Sequence, residues 1–235
     1  DYKVRILIAD VVGNTSELNF TIKGVKKDIP LMLKDSGTYV DYRLPAIVQG
    51  EGYGMVLPRG SLYDNVYFDH KVYFDSTLSA NVYQMHYQTE PLHKNANLFI
   101  QIPKDSVPTE KHYVARKGRR GDWNYVNTKV YNDSILRVKT NSLGDFTVKV
   151  DTIAPEIRPQ SRTKSRIMLK LVDKQSGVSR YEAYINGEWV LFEEDFYGRV
   201  SYKLDKKRLK AKRPYHLEFR AYDNCGNMSE YKLKW

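Results

Sequence analysis

Apolar and polar residues alternate most cleanly near the two ends of this chain. Tyr215, Leu217, Phe219 and Ala221 alternate with His216, Glu218, Arg220 and Tyr222, the period of a β-strand with one buried face. Asp223 to Ser229 predicts a turn in which Gly226 supplies positive φ and short polar side chains bond the backbone. A second strand follows from Tyr231 to Trp235. At the other end, Tyr2, Val4, Ile6 and Ile8 alternate with Lys3, Arg5 and Leu7, and Leu18, Phe20 and Ile22 mark a returning strand. Asp10, Gly13, Asn14, Ser16 and Glu17 match Asp223, Gly226, Asn227, Ser229 and Glu230 at a constant spacing of 213 positions, and Tyr2 matches Tyr215 at the same spacing. Two copies of one hairpin predict two copies of one domain type.

In the second copy about 60 residues separate Pro155 from Tyr215, enough for the earlier strands of an ordinary domain. The first copy has no counterpart to them. The expectation is therefore a chain that starts inside a domain: residues 1–24 as the closing hairpin of a truncated unit, 25–150 as one β-sandwich, and 151–235 as a second. Val25 to Pro30 reads as a linker, and apolar pieces at Leu31–Leu33 and Ala46–Val48 open the next domain. Short strands are predicted at Val66–Phe68, Lys71–Phe74, Asn97–Ile102, Tyr113–Lys117, Trp123–Val126, Ile135–Lys139 and Phe146–Val150, punctuated by Asp, Asn and Gly turns. After Pro155 the strands are Arg166–Val172, Arg180–Ile185, Glu188–Phe192, Val200–Leu204 and the closing pair. Asn186-Gly187 signals a two-residue hairpin, Tyr215 is placed to act as a tyrosine corner, and Lys206 to Lys212 as a helical turn. The fold class is all-β, tandem antiparallel sandwiches.

Composition removes whole classes of function. Hydrophobic residues make up 41% and aromatics 13%, with 19 tyrosines, so real cores form and disorder is excluded. No run of 18 apolar residues exists to span a membrane as a helix. The lone Cys225 excludes an internal disulfide and a cysteine-based zinc site. Net charge is +10, concentrated in Arg116–Arg120, Arg158–Lys170 and Lys203–Arg213. Such charge suits a polyanion, but no nucleic-acid fold motif accompanies it, and lysines on strand edges and loops also block edge pairing.

The order Asp10-x-x-Gly-Asn-x-Ser, Glu90-Pro-Leu-His93, Leu143-Gly-Asp-Phe-Thr-Val148, Asp151-Thr-Ile-Ala-Pro155, Asp173-x-x-Ser-Gly177 and Gly187-Glu-Trp189 resembles the non-catalytic C-terminal region of lysostaphin-type zinc metallopeptidases from Bacteroidetes. That resemblance implies immunoglobulin-like modules, a location outside the cytoplasm, and peptidoglycan cross-bridges as the parent's substrate. Asp75-Ser76-Thr77, Asp105-Ser106-Val107, Asp133-Ser134-Ile135 and Asp151-Thr152-Ile153 are similar to the O-glycan acceptor pattern of that group's envelope proteins. Ser76, Ser106, Ser134 and Thr152 are thus candidate acceptors; as plain chemistry each is a polar turn.

The family's zinc site does not carry over. It needs His-x-x-x-Asp and His-x-His, and His70, His86, His93, His112 and His216 satisfy neither spacing. His86 with Glu90 is the nearest approach, and Pro91 makes it a turn. Glu193-Glu194-Asp195 lacks the spaced ligands of a calcium loop, Ser61 lacks the nucleophile elbow, and Gly50-Glu-Gly-Tyr-Gly54 lacks the Lys-Ser/Thr of a phosphate loop. Catalytic residues, metal ligands and cofactors are all expected to be absent. Two readings remain: an accessory or structural region that positions an envelope peptidase or meets an envelope partner, and a polysaccharide- or peptidoglycan-binding module. Trp123, Tyr125 and Trp189 are the aromatics that could stack on sugars, or pack across strands.

Overall fold

The computed structural model describes residues 1–25, 37–104, 106–163, 165–195, 197–205 and 214–234. The apolar piece Leu31–Leu33, most of the linker, Asp105 and the basic segment Lys206–Lys212 lie outside the described residues. By internal contacts the chain divides into two units, Asp1–Asp35 and Ser36–Trp235.

In the first unit β1 (Tyr2–Ala9) pairs with β2 (Thr15–Ile22) in an antiparallel hairpin, Tyr2 opposite Ile22 and Ile6 opposite Leu18. Because side chains alternate, Tyr2, Val4 and Ile6 share one face with Ile22, Phe20 and Leu18. Lys3, Arg5 and Glu17 take the other face, where Arg5 donates to Glu17 at 2.7 Å.

The second unit opens with β3 (Thr38–Val40), β4 (Ala46–Gly50), β5 (Tyr53–Leu57), β6 (Val66–Phe68), β7 (His70–Asp75), β8 (Ala80–Met85) and β9 (Pro91–Gln101). It continues with β10 (His112–Lys117), β11 (Trp123–Tyr125), β12 (Thr128–Asn132), β13 (Ile135–Ser142) and β14 (Gly144–Val150). Two five-stranded antiparallel sheets result, in the orders β11-β10-β14-β8-β7 and β12-β13-β9-β5-β4. Met55, Leu98, Ile100 and Leu136 of one sheet meet Met85, Val114 and Phe146 of the other in a single buried cluster. Each such fully buried side chain contributes about 1.5–3 kcal/mol.

The last strands are β15 (Glu156–Arg162), β16 (Arg166–Val172), β17 (Val178–Ile185), β18 (Glu188–Trp189), β19 (Glu193–Glu194), β20 (Arg199–Lys203), β21 (His216–Asp223) and β22 (Met228–Lys234). They form sheets β15-β16-β20-β19 and β18-β17-β21-β22. Ile167, Leu169 and Val200 face Ala183, Ile185, Leu217 and Phe219 across a separate core. The fold is all-β, built of antiparallel sheets packed as sandwiches.

Differences from the sequence expectation have local causes. β15 contains Pro159 and was read only as a basic run. It is an edge strand whose register shifts between Pro159 and Ser161, where a residue without an N–H is tolerated. β8 and β12 were not expected: β8 buries the adjacent Val82 and Tyr83, so strict alternation fails there. His86 is not a simple turn flank. It is buried at φ +57°, stacks on Phe68 at 4.8 Å, and accepts from the Asp69 N–H. Asn186 and Gly187, at φ +50° and +83°, make the two-residue turn that the sequence signals.

Candidate functional site

The two Asp-x-x-Gly-Asn turns are the same object at atomic detail. Asp10 Oδ1 accepts from the backbone N–H groups of Val12 and Asn14, and its Oδ2 accepts from Asn14 Nδ2 at 2.8 Å. Asp223 Oδ1 accepts from Cys225 and Asn227, and its Oδ2 from Asn227 Nδ2 at 2.7 Å. Gly13 and Gly226 sit at φ +89° and +74°, the left-handed region that a Cβ disfavours. Bonds from the Asn14 side chain and the turn's N–H groups hold the Asp10 carboxyl below the usual carboxylate range.

What differs is the surroundings of the second turn. Asn227 Nδ2 also donates to the Asp151 carbonyl at 2.9 Å, and Asn227 Oδ1 accepts from Lys111 Nζ at 2.6 Å. The same ammonium donates to the Cys225 carbonyl at 3.0 Å. Lys111 immediately precedes β10, in the sandwich built from β3–β14, so one lysine ties that sandwich to the closing turn of the next. Its own carbonyl accepts from the Asp151 N–H at 2.8 Å.

Asp151 is the pivot. It is fully buried, follows β14 directly, and its Oδ2 accepts from Ser176 N and Ser176 Oγ at 3.0 and 2.6 Å while Oδ1 accepts from Ile153 N. Asn224 Nδ2 closes the same region by donating to the carbonyls of Ser176 and Gly177. Tyr113, Ala115 and Cys225 bury a small apolar cluster beside it, with Trp123 and Tyr125 packed on its flank.

This packing sets the electrostatics. Burial first, then the carboxylates of Asp151 and Asp223, push the Cys225 thiol up to about 11; the Ser176 hydrogen bond and Lys111 oppose the shift. Burial first, with Asp151, Cys225 and Asp173 adding, pushes the Tyr113 phenol up to about 12. Both shifts favour the protonated, neutral forms of these groups. Asp151, Asp173 and Asp223 bring one oxygen each within 4.8 Å of one another, the one group of three or more potential metal ligands among the described residues. Both oxygens of Asp223 and Oδ1 of Asp173 already accept hydrogen bonds from their own turns, while Asp151 accepts from Ile153 at Oδ1 and from Ser176, in the turn after Asp173, at Oδ2. Chemically the arrangement is a latch of hydrogen bonds between two sandwiches.

Sequence reasoning singled out Asp151, Asp173 and Asp223 in three separate motifs but did not bring them together, and it missed Lys111 altogether. The other candidates are dispersed. Ser76, Ser106, Ser134 and Thr152 are all exposed and outside strands. His70 meets Tyr53 and Thr38, His93 meets Tyr63, and His112 meets the Pro108 carbonyl. Trp123 and Tyr125 are half-buried packing partners, with Lys117 over the Trp123 ring. Trp189 alone of the three is largely exposed, at 56%, on the rim of a cleft of about 210 Å³ lined also by Glu188, Glu193, Tyr202, Lys203 and Asp205.

No curated protein matches this chain. Among solved structures, a polysaccharide lyase aligns over 99% of this chain and 39% of its own length, at 8% identity and a TM-score of 0.24; the chain thus spans well under half of that structure. Residues 37–151, the sandwich that ends on Asp151, match the family model of the Zu5-like domain.

Proposed function

We propose that this chain is a non-catalytic accessory region that holds other parts of a cell-envelope protein at a set spacing, outside the cytoplasm, and that its parent is a lysostaphin-type peptidase. The latch carries the reading. A flexible tether has no use for a buried carboxylate and a shared lysine, whereas a spacer needs consecutive sandwiches to move together. Purified 1–235 is expected neither to hold stoichiometric zinc nor to cleave muropeptides; chelator-sensitive cleavage overturns the non-catalytic reading. Small-angle scattering of Asn227→Ala against the parent sequence tests the spacer: an unchanged distance distribution with a folded spectrum overturns it.

The exposed Trp189 favours a second reading, a module that binds peptidoglycan or another polysaccharide. An indole face can stack on a sugar ring while neighbouring carboxylates accept hydroxyl protons. Retention on insoluble peptidoglycan that Trp189→Ala abolishes supports this reading, and equal retention of the two proteins removes it.

A further inference from the structure

We propose that the outer face of the sheet β12-β13-β9-β5-β4 binds an acidic polysaccharide, one that carries carboxylates on its sugar rings. The inference rests on the polysaccharide-binding reading but uses the sandwich built from β3–β14, a different surface from that of Trp189. Its ground is a group of three cations held side by side with no anion opposite them.

Strand register builds the face. Leu136, Val138, Leu98 and Ile100 point into the core, so the residues that alternate with them point outward. On that side Arg137 stands opposite Phe99, and Lys139 opposite Asn97. Lys129 of the next strand stands directly opposite Arg137. Phe99 in turn faces Gly54, and Asn97 faces Val56. Residues opposite one another lie about 5 Å apart, and Arg137 and Lys139 about 7 Å apart along their strand. Like charges directly opposite destabilise a sheet. None of these outward pairs contains Asp or Glu, and among the described residues Lys129, Arg137 and Lys139 form no ion pair. Asp133, the nearest carboxylate in sequence, sits in the turn after β12. An anion laid across the three cations replaces their repulsion by attraction.

The rest of the face specifies which anion. The Arg137 guanidinium offers a planar fork that matches a carboxylate, while the two lysines act as point charges. Tyr131 is 60% exposed and stands at 78° to the Phe99 ring, 5.2 Å between centroids, so an aromatic platform borders the cations. Gln49, opposite Gly54, and Asn97 add side-chain amides that can meet sugar hydroxyls. A single largely exposed ring suits a glycan better than single-stranded nucleic acid, which stacks successive bases on successive aromatics.

Fluorescence anisotropy of a labelled polygalacturonate oligomer tests this on the 1–235 chain, at about 150 mM salt so that long-range attraction is screened. Binding is expected, and Arg137→Gln and Tyr131→Ala should each weaken it at least about 10-fold. Arg119→Gln with Arg120→Gln, between β10 and β11, removes more charge and should leave affinity within about twofold. Lys129→Gln should hold or raise the melting temperature, because it relieves repulsion in the free protein; a fall overturns the unopposed charge cluster. Absence of binding, or an equal loss in the Arg119 and Arg120 variant, overturns the site. Equal binding of neutral dextran overturns the acidic ligand. Tighter binding of single-stranded oligothymidylate assigns the face to nucleic acid and overturns the glycan. Trp189→Ala should bind polygalacturonate as the parent sequence does, whatever it does to retention on peptidoglycan, and its failure to do so overturns this face as the site.

Discussion

Lys111 Nζ lies 2.6 Å from Asn227 Oδ1, and through that contact the start of β10 holds the turn between β21 and β22. Removing either partner leaves buried or half-buried groups unmatched, which is costlier than never having placed them there. Lys111→Met is expected to destabilise the second unit by about 1–3 kcal/mol. Asn227→Ala should cost at least as much, since it also strips a donor from the Asp151 carbonyl and from Asp223. Thermal unfolding checks both, each kcal/mol lowering Tm by about 2–4 °C in a unit of this size.

The glycines of the two turns should behave alike in chemistry and differently in readout. Nothing lies within 4 Å of a Cβ built on Gly13 or Gly226, so the positive φ sets the cost of a side chain there, about 1–3 kcal/mol. Gly226→Val is expected to lower the melting temperature of the second unit. Gly13→Val lies in the other unit and should show as faster amide exchange in β1 and β2, with the melting of the sandwiches unchanged.

Alkali should open the latch before it unfolds a protein lacking Cys225. Folding raises the thiol above its ordinary value to about 11, so the unfolded chain loses that proton first. A group raised on folding adds stability that is complete below its unfolded value and lost as pH climbs through its folded value. The Tyr113 phenol, raised to about 12, acts in the same direction. Stability is therefore expected to fall from about pH 9 upward, less steeply in Cys225→Ala, as read by denaturant midpoints at several pH values. Iodoacetamide at pH 8 should label Cys225 at least about 100-fold more slowly in native than in unfolded protein.

Ser106 and Ser134 are exposed and lie outside strands, where an attached sugar can project from the surface. Intact-mass spectrometry on protein from its native host should show discrete additions that Ser106→Ala or Ser134→Ala removes. A mass equal to the bare sequence rejects these acceptors.

The closing hairpins and the Asn186-Gly187 turn were legible because period-two alternation and turn chemistry are local signals. β15 was hidden because an edge strand needs no apolar run, and Pro159 and Arg158 disguised it. The latch was illegible for a different reason. Lys111, Asp151, Ser176 and Asn227 come from four separate stretches; the last three each look complete in a motif of their own, and Lys111 belongs to no motif or charge run. Only the packing of one sandwich on the next reveals that a single lysine and a single aspartate serve both.

Asp151 ends one sandwich and, through Ser176 and Asn227, anchors the next, leaving no slack chain between them. Tension applied along the polypeptide would thus load the bonds around Asp151 side by side instead of first straightening a tether. Such a joint stays short under small forces and then yields abruptly. A region joined in this way would keep its reach constant until that threshold.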